Sequence, residues 1–337
     1  IMAKSKNVWT DLYVAAVALR DANPWKSLTA RDLFGISNPV DGEIYYCAVA
    51  ESADKTFKGL TAYQGAAGLE FYQRIGRDDV DMLHMLWAQQ GFQIQYGSRD
   101  ELTEESYKRI KESGISCRGK QSWPMFTAFS SGRAETELTE DHAEVLILIL
   151  EQSLAMLEAV KKDKKKEVLG NPEEDFRFPV RQKKASKWQI AYLTPDAVAA
   201  PKALSWTKKD QEKLAGKEIG NISWDLDGFY WPSLPQETAE GIRLPFIWAI
   251  ADREKGTLLS LDTTYAKDSW KEGKSFLLEQ FVSSETLPSR IAVKRPELLL
   301  WLEPVLKAMN IQLLLVQEVP GMIKAREELR KQEATLS

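Results

Sequence analysis

Histidine and cysteine are both scarce, with two of each among 337 residues. Cys47 and Cys117 are too few for a disulfide framework, a structural zinc site or a paired redox motif, so they read as reduced thiols. His84 and His142 each fall within a predicted helix, and neither adjoins a nucleophile motif, which leaves Ser-His-Asp and Cys-His hydrolase chemistry without support. Long apolar runs are missing as well. The VLILIL run at 145–150 is far short of the ~20 residues that span a bilayer, and Ile1-Met2-Ala3-Lys4 opens no signal-peptide core. A soluble, cytoplasmic chain with no membrane partner is the expectation. Neither sign of charge dominates: 45 Lys and Arg stand against 49 Asp and Glu, for a formal net charge of -4. No long-range field therefore draws the whole chain onto nucleic acid or an anionic membrane. Internal repeats and low-complexity tracts are absent.

What is present is the composition of a folded protein, 44% hydrophobic and 28% charged with 11 tryptophans. The length suits two domains at ~150 residues each. Between 161 and 187 ten Lys or Arg stand against five acids, with Gly170, Pro172 and Pro179 as breakers. The pattern predicts an α+β domain over 1–160, a basic linker and irregular connector over 161–221, and a second domain over 222–337. A solvated helix end is the plain reading of the charge run. A nucleic-acid-binding arm using it together with Lys294 and Arg295 is the alternative, weakened because no aromatic alternates with the lysines.

In the first half, Trp9, Leu12, Tyr13, Ala16 and Leu19 recur at helical spacing and predict a helix over 7–22, ended by Asn23-Pro24. Short strands follow at 33–35, 43–49 and 57–63. Gly65-Ala66-Ala67-Gly68 sits where a strand turns into a helix; a phosphate cradle there would need the P-loop Lys-Ser/Thr or the full GxGxxG spacing, and has neither. A helix over 78–90, a strand over 92–96, a helix capped by Thr103 and ending at Gly114, and a long apolar helix over 139–160 complete this half.

Several multi-residue motifs are similar to an uncharacterised bacterial family: Ala22-Asn23-Pro24-Trp25, Asp32-Leu33-Phe34-Gly35, Gly42-Glu43-Ile44-Tyr45-Tyr46-Cys47, Gly65-Ala66-Ala67-Gly68-Leu69, Ser98-Arg99-Asp100-Glu101-Leu102, Arg118-Gly119-Lys120 and Ser122-Trp123-Pro124-Met125-Phe126. The resemblance covers most of 7–160. It implies a bacterial intracellular protein with a separate second domain, and brings no substrate, cofactor or catalytic residue.

From Pro245 onward the pattern predicts a hairpin (246–252 and 257–264, across Arg253-Glu254-Lys255-Gly256), a helix (269–283), a strand (289–293), a helix (296–309), a strand (311–316) and a helix (321–331). This ββαβαβα order resembles the α/β ribonuclease H-like fold of nucleases, transposases and integrases, with one antiparallel strand not evident. The resemblance implies acids on the first strand, the first helix, the end of the next strand and the last helix, holding two Mg²⁺ or Mn²⁺ ions. Asp252, Glu279 and Glu327 (or Glu328) fit three positions. At the remaining one the chain has Lys294-Arg295, cations that compete with a metal, so only Glu297, one turn later, could contribute.

Asp225-Leu226-Asp227-Gly228 reads as a tight turn flanked by Trp224, Phe229, Tyr230 and Trp231, since a Ca²⁺ loop would require further ligands at alternating positions. Trp123-Pro124-Met125-Phe126 reads as a loop anchored on the long helix. The interaction candidates are Trp123, Phe126, Trp224, Asp225, Asp227, Tyr230 and Trp231. Cys47 reads as inert on its strand; Arg118 and Lys120 give Cys117 a cationic setting that could lower its pKa, but an unreactive thiol is the preferred reading there too. The preferred function is a non-catalytic intracellular interaction or regulatory module that binds a protein or small ligand and needs no cofactor. The alternatives are a divergent metal-dependent nuclease or phosphotransferase using Asp252, Glu279, Glu297 and Glu327, and a nucleic-acid-binding protein.

Overall fold

The computed structural model describes residues 7–52, 57–76, 89–134, 138–162, 167–170, 177–238, 241–266 and 268–336. The helix expected over 78–90, and with it His84, lies largely outside these residues. The described chain divides into two compact units, one ending at Val198 and the other beginning at Ala199.

The first unit is built on a seven-stranded sheet of order β5-β4-β3-β2-β1-β6-β7. Its strands are β1 (Phe34–Ser37), β2 (Ile44–Glu51), β3 (Lys58–Gln64), β4 (Gly91–Gly97), β5 (Trp123–Phe129), β6 (Phe178–Lys184) and β7 (Lys187–Leu193). Helix α1 (Val8–Ala22), capped by the Asn7 side chain, buries Leu12, Ala16 and Leu19 on one face of the sheet. Helix α2 (Gly65–Gly76) starts directly after β3, and α3 (Glu104–Glu112) is capped by Thr103. Helix α4 (Glu140–Lys162) places Leu146, Ile149, Leu150, Met156 and Leu157 in the same core as Ile36, Cys47 and Ile94, the spine role that its apolar run implies. At the start of α2, a Cβ on Gly65 (φ +63) would stand 2.7 Å from the Glu43 carboxylate. The helix terminus thus already faces an acid of its own chain, the charge that its dipole favours.

Two expectations change here. Within 161–221, residues 178–193 are strand rather than linker: β6 joins β1 in parallel (Gly35 with Val180, Ile36 with Arg181) and β7 completes a hairpin with it, whereas residues 194–207 are irregular. Phe178, Pro179 and Val180 are buried at the start of β6, a short apolar run masked by the surrounding charge. Trp123-Pro124-Met125-Phe126 is likewise no loop. It is part of β5 at the sheet edge, where Pro124 sacrifices no inner ladder bond. Its Phe126 packs edge-on against Tyr13 of α1, and Trp123 lies 5.9 Å from Tyr107 of α3.

In the second unit, Leu204 and Trp206 are held by the body of the domain. Leu204 N–H donates to Trp301 O (2.8 Å) and Trp206 Nε1 points at Met309 Sδ (3.3 Å). Helix α5 (Lys208–Leu214) follows, closed by a Thr207–Asp210 capping box. The sheet has five strands in the order β12-β11-β8-β13-β14: β8 (Ile219–Tyr230), β11 (Phe246–Asp252), β12 (Leu258–Thr264), β13 (Leu287–Val293) and β14 (Gln312–Leu315). A small ribbon of β9 (Gln236–Thr238) and β10 (Gly241–Arg243) lies between β8 and β11 in sequence. Strands β8, β11 and β12 are antiparallel, whereas β13 runs parallel to both β8 and β14. Helices α6 (Ser269–Ser283) and α7 (Pro296–Ala308) share one core with Trp224, Leu226, Trp248, Ile250 and Val293. Helix α8 (Pro320–Leu336) contributes Met322 to a smaller core with Phe229, Ile247, Ala249 and Ala251. Strand alternation separates these two sets. The turn expected at 225–228 is the interior of β8, the longest strand of this sheet.

Trp248, fully buried, stacks on Trp301 at 5.3 Å and donates Nε1–H to Ser269 O (2.9 Å), so its ring cannot move aside. A Cβ on Gly273 would lie 2.3 Å from that ring. Gly273→Ala is expected to destabilise the second unit by about 1–3 kcal/mol in urea denaturation, overcoming the gain in helix propensity.

Candidate functional site

Along β8 the residues alternate: Trp224 and Leu226 enter the α6–α7 core, while Asp225, Asp227 and Phe229 point toward α8. Two carboxylates are thereby placed two residues apart on one face of a central strand. Asp225 is fully buried and Asp227 is 2% exposed. A carboxylate removed from water to this degree requires counter-charge and hydrogen-bond donors.

Each oxygen receives a donor. Asp225 Oδ1 accepts from Arg253 Nη1 at 2.5 Å, and Oδ2 from the Gly321 N–H at 3.0 Å. Arg253 is placed by the turn after β11, where its own N–H donates to Ser223 O (2.9 Å). Gly321 lies in the first turn of α8, so Asp225 serves as a carboxylate partner for a helix N-terminus borrowed from another strand. A Cβ on Gly321 would come within 2.4 Å of the Ala251 Cβ, which is why this close approach has glycine. Asp227 Oδ1 accepts from Arg295 Nε (3.2 Å) and from the Gly228 N–H (2.9 Å), and Oδ2 from Arg326 Nη2 (2.7 Å). Arg295 is itself buried at the end of β13, where Nη2 also donates to Gly228 O. The Arg326 guanidinium lies over the Phe229 ring at 4.7 Å. The five charged side chains tie together β8, the β11–β12 turn, the β13–α7 junction and α8. With every carboxylate oxygen turned into an N–H, the pair is arranged for ion pairing and is poorly disposed to ligate a cation.

The acids nominated from the sequence are elsewhere. Asp252 shapes the β11–β12 turn, its Oδ1 accepting from the Glu254 N–H (3.0 Å) and the Lys255 N–H (2.9 Å). Glu279 and Glu327 are exposed on α6 and α8, and Glu297 lies in the first turn of α7. Among the described residues no three His, Cys, Asp or Glu side chains converge as a metal-ligand group, so these four acids do not form the set that a two-metal site requires. Lys294 is exposed while its neighbour Arg295 turns inward.

The aromatic interaction candidates are largely core residues. Trp224 and Trp231 are buried, Tyr230 is half-buried with its ring 4.9 Å from Phe246, and Trp123 and Phe126 are half-buried against α3 and α1. Of the seven nominated residues, Asp225 and Asp227 are brought together, in a strand rather than a turn. Arg253 and Arg326 carry a single sequence signal, that a paired buried acid needs cations. Burial pushes the Cys117 thiol up, only partly offset by Arg20, whose Nη1 lies 3.7 Å from Sγ, while Arg118 and Lys120 are exposed, in keeping with the preferred reading of an unreactive thiol. Cys47, fully buried, is also pushed up by desolvation, in keeping with an inert thiol. His142 sits at the start of α4 with its ring 5.4 Å from Phe92, and burial lowers its pKa.

The Lys255 N–H, aided by the Lys255 charge and the Glu254 N–H, holds the Asp252 carboxyl below its ordinary 3.8. A carboxyl depressed in the folded state stabilises it above the unfolded-state pKa, and this contribution disappears as pH falls through the folded value. Asp252→Asn should therefore be less stable than the parent near neutral pH. The difference should shrink below about pH 4 in chemical denaturation, the window of a turn-forming carboxylate.

Residues 9–179, just over half of the chain, match the family described as Domain of unknown function (DUF7309). Residues 210–330 match a second, Domain of unknown function (DUF6930), which spans the five-stranded sheet and most of α8. No curated protein and no solved structure matches the chain. The first unit and its motifs thus assign this chain to the DUF7309 family, to which it belongs, with a DUF6930 domain following in the same polypeptide.

Proposed function

We propose that the chain is a non-catalytic interaction or regulatory module, in which the second unit uses a ribonuclease H-like sheet as a scaffold and binds a protein or small ligand rather than turning over a substrate. The strand order β12-β11-β8-β13-β14 supports the scaffold reading, with three antiparallel strands followed by two parallel to the central one. Strand β8 is then the antiparallel strand that was not evident in the sequence, and it takes the first-strand position in place of β11. Its acid position belongs to Asp225 and Asp227, not to Asp252.

The observation that carries the proposal is the pairing of Asp227 with Arg295 and Arg326. The end of β13 and the last helix are two places where the resemblance implies metal-binding acids. Here both have arginines, and both arginines reach the acid of the central strand. Guanidinium groups thus provide the positive charge that divalent ions would provide in a nuclease, without their Lewis acidity or bound water. Fold likeness alone would not decide between scaffold and enzyme; this charge reversal favours the scaffold.

Isothermal titration of the full chain with Mn²⁺ at neutral pH tests this. The expected outcome is no saturable heat up to millimolar metal. Saturable binding that disappears in Asp225→Asn or Asp227→Asn would overturn the proposal and restore the metal-dependent enzyme.

A further inference from the structure

The β6–β7 hairpin and the residues beside it are rich in cations. Between 177 and 195 there are five cations (Arg177, Arg181, Lys183, Lys184 and Lys187) and no acid, in a chain whose net charge is -4. The ladder to β1 is confined to Val180 and Arg181, so from Gln182 onward the ribbon pairs only with itself, and residues 183–187 are exposed. Its register sets Lys184 directly opposite Lys187, and Lys183 directly opposite Trp188. Like charges facing each other across an antiparallel pair are destabilising. The tip turns through Ala185 at φ 53, a left-handed conformation that a residue with a Cβ adopts at a cost. Among the described residues no acid pairs with Lys183, Lys184 or Lys187.

The pairing also removes the objection that the basic stretch lacks an interleaved aromatic. Trp188, half-buried, shares a face with Lys183 and Arg181, whereas Lys184 and Lys187 share the other face with Gln182 and Gln189. Arg181 Nε donates to Gln152 Oε1 at 3.1 Å, which orients the first face toward α4. Both faces of the ribbon therefore carry cations, one beside an indole and one beside two amides.

We propose that the β6–β7 hairpin is a nucleic-acid-binding finger, with Lys183, Lys184 and Lys187 on the phosphates of a single strand and Trp188 stacked on a base. Lysines supply the counterion-releasing contacts, and an aromatic beside them supplies a sequence-tolerant platform. Gln182 and Gln189 add paired donors and acceptors suited to base edges and sugars. A lipid surface is the poorer match, because the tip residues Ala185 and Ser186 offer no bulky apolar group to insert. This finger lies in the first unit and is independent of the arginine-closed acid pair.

Fluorescence anisotropy of the full chain with a labelled oligothymidylate of about 20 nucleotides tests the proposal. Saturable binding is expected, with a log–log salt slope of about -2 for three phosphate contacts to a single strand. The K183A/K184A/K187A variant should bind at least about tenfold more weakly at about 50 mM salt, with a slope near zero. Trp188→Phe should bind more weakly with the parent slope retained. Both variants should melt as the parent does, since the lysines are exposed and Phe preserves the packing of the indole. No binding at low salt, or a triple lysine variant that binds like the parent, would overturn the proposal. So would lysine-dependent association with phosphatidylserine vesicles in the absence of oligonucleotide binding.

Discussion

A carboxylate inside a β-sheet must be neutralised, and the second unit is arranged around two of them. Asp225 and Asp227 occupy the middle of β8, the strand that bridges the antiparallel and parallel halves of the sheet. Were either left without its partners, the uncompensated charge would cost about 3–5 kcal/mol, a large fraction of a domain's total stability. The counter-charges come from three separate places in the chain: a hairpin turn, a strand end and the last helix. Satisfying the pair therefore specifies where each of those elements lies. Gly321 shows how tight this is, since its N–H reaches Asp225 only because no Cβ separates α8 from Ala251.

The same requirement carries the functional reading. Acids grouped on a sheet can recruit divalent ions when water and open coordination positions remain. Here Arg295 and Arg326 use both oxygens of Asp227, while Arg253 and a helix N-terminus use those of Asp225. Buried ion pairs are often no better for stability than well-packed apolar residues. The five charged side chains here link four separate elements of the unit, which fixes the positions of those elements whatever the net contribution to stability. The sheet's two faces are otherwise ordinary, with a tryptophan-rich core under α6 and α7 and a small aliphatic and aromatic core under α8.

Much of the architecture was legible in the sequence because its periodicities were clean. Helices α1 and α4, the β11–β12 hairpin and the alternation of α6, β13, α7, β14 and α8 all follow from apolar spacing, caps and turn residues. Strand β8 was not legible: Asp-Leu-Asp-Gly is the composition of a turn, and its alternation with Trp224 and Leu226 has strand meaning only when cations from 28, 68 and 99 residues away are in place. The β6–β7 hairpin was hidden in the same way, its buried Phe178 and Val180 outnumbered by lysines. Both misreadings had one cause. Local composition signalled loop where long-range pairing made strand, and the two most informative polar features of the chain are in those strands.

The central claim is that Asp227 and its arginines act as one energetic unit. A double-mutant cycle with Asp227→Asn, Arg326→Met and the double variant, read by urea denaturation of the second unit, measures it directly. The account predicts a coupling free energy of at least about 1 kcal/mol, with the double variant more stable than the sum of the single losses implies. Additivity within about 0.5 kcal/mol would show that the pair is not coupled and would contradict the account.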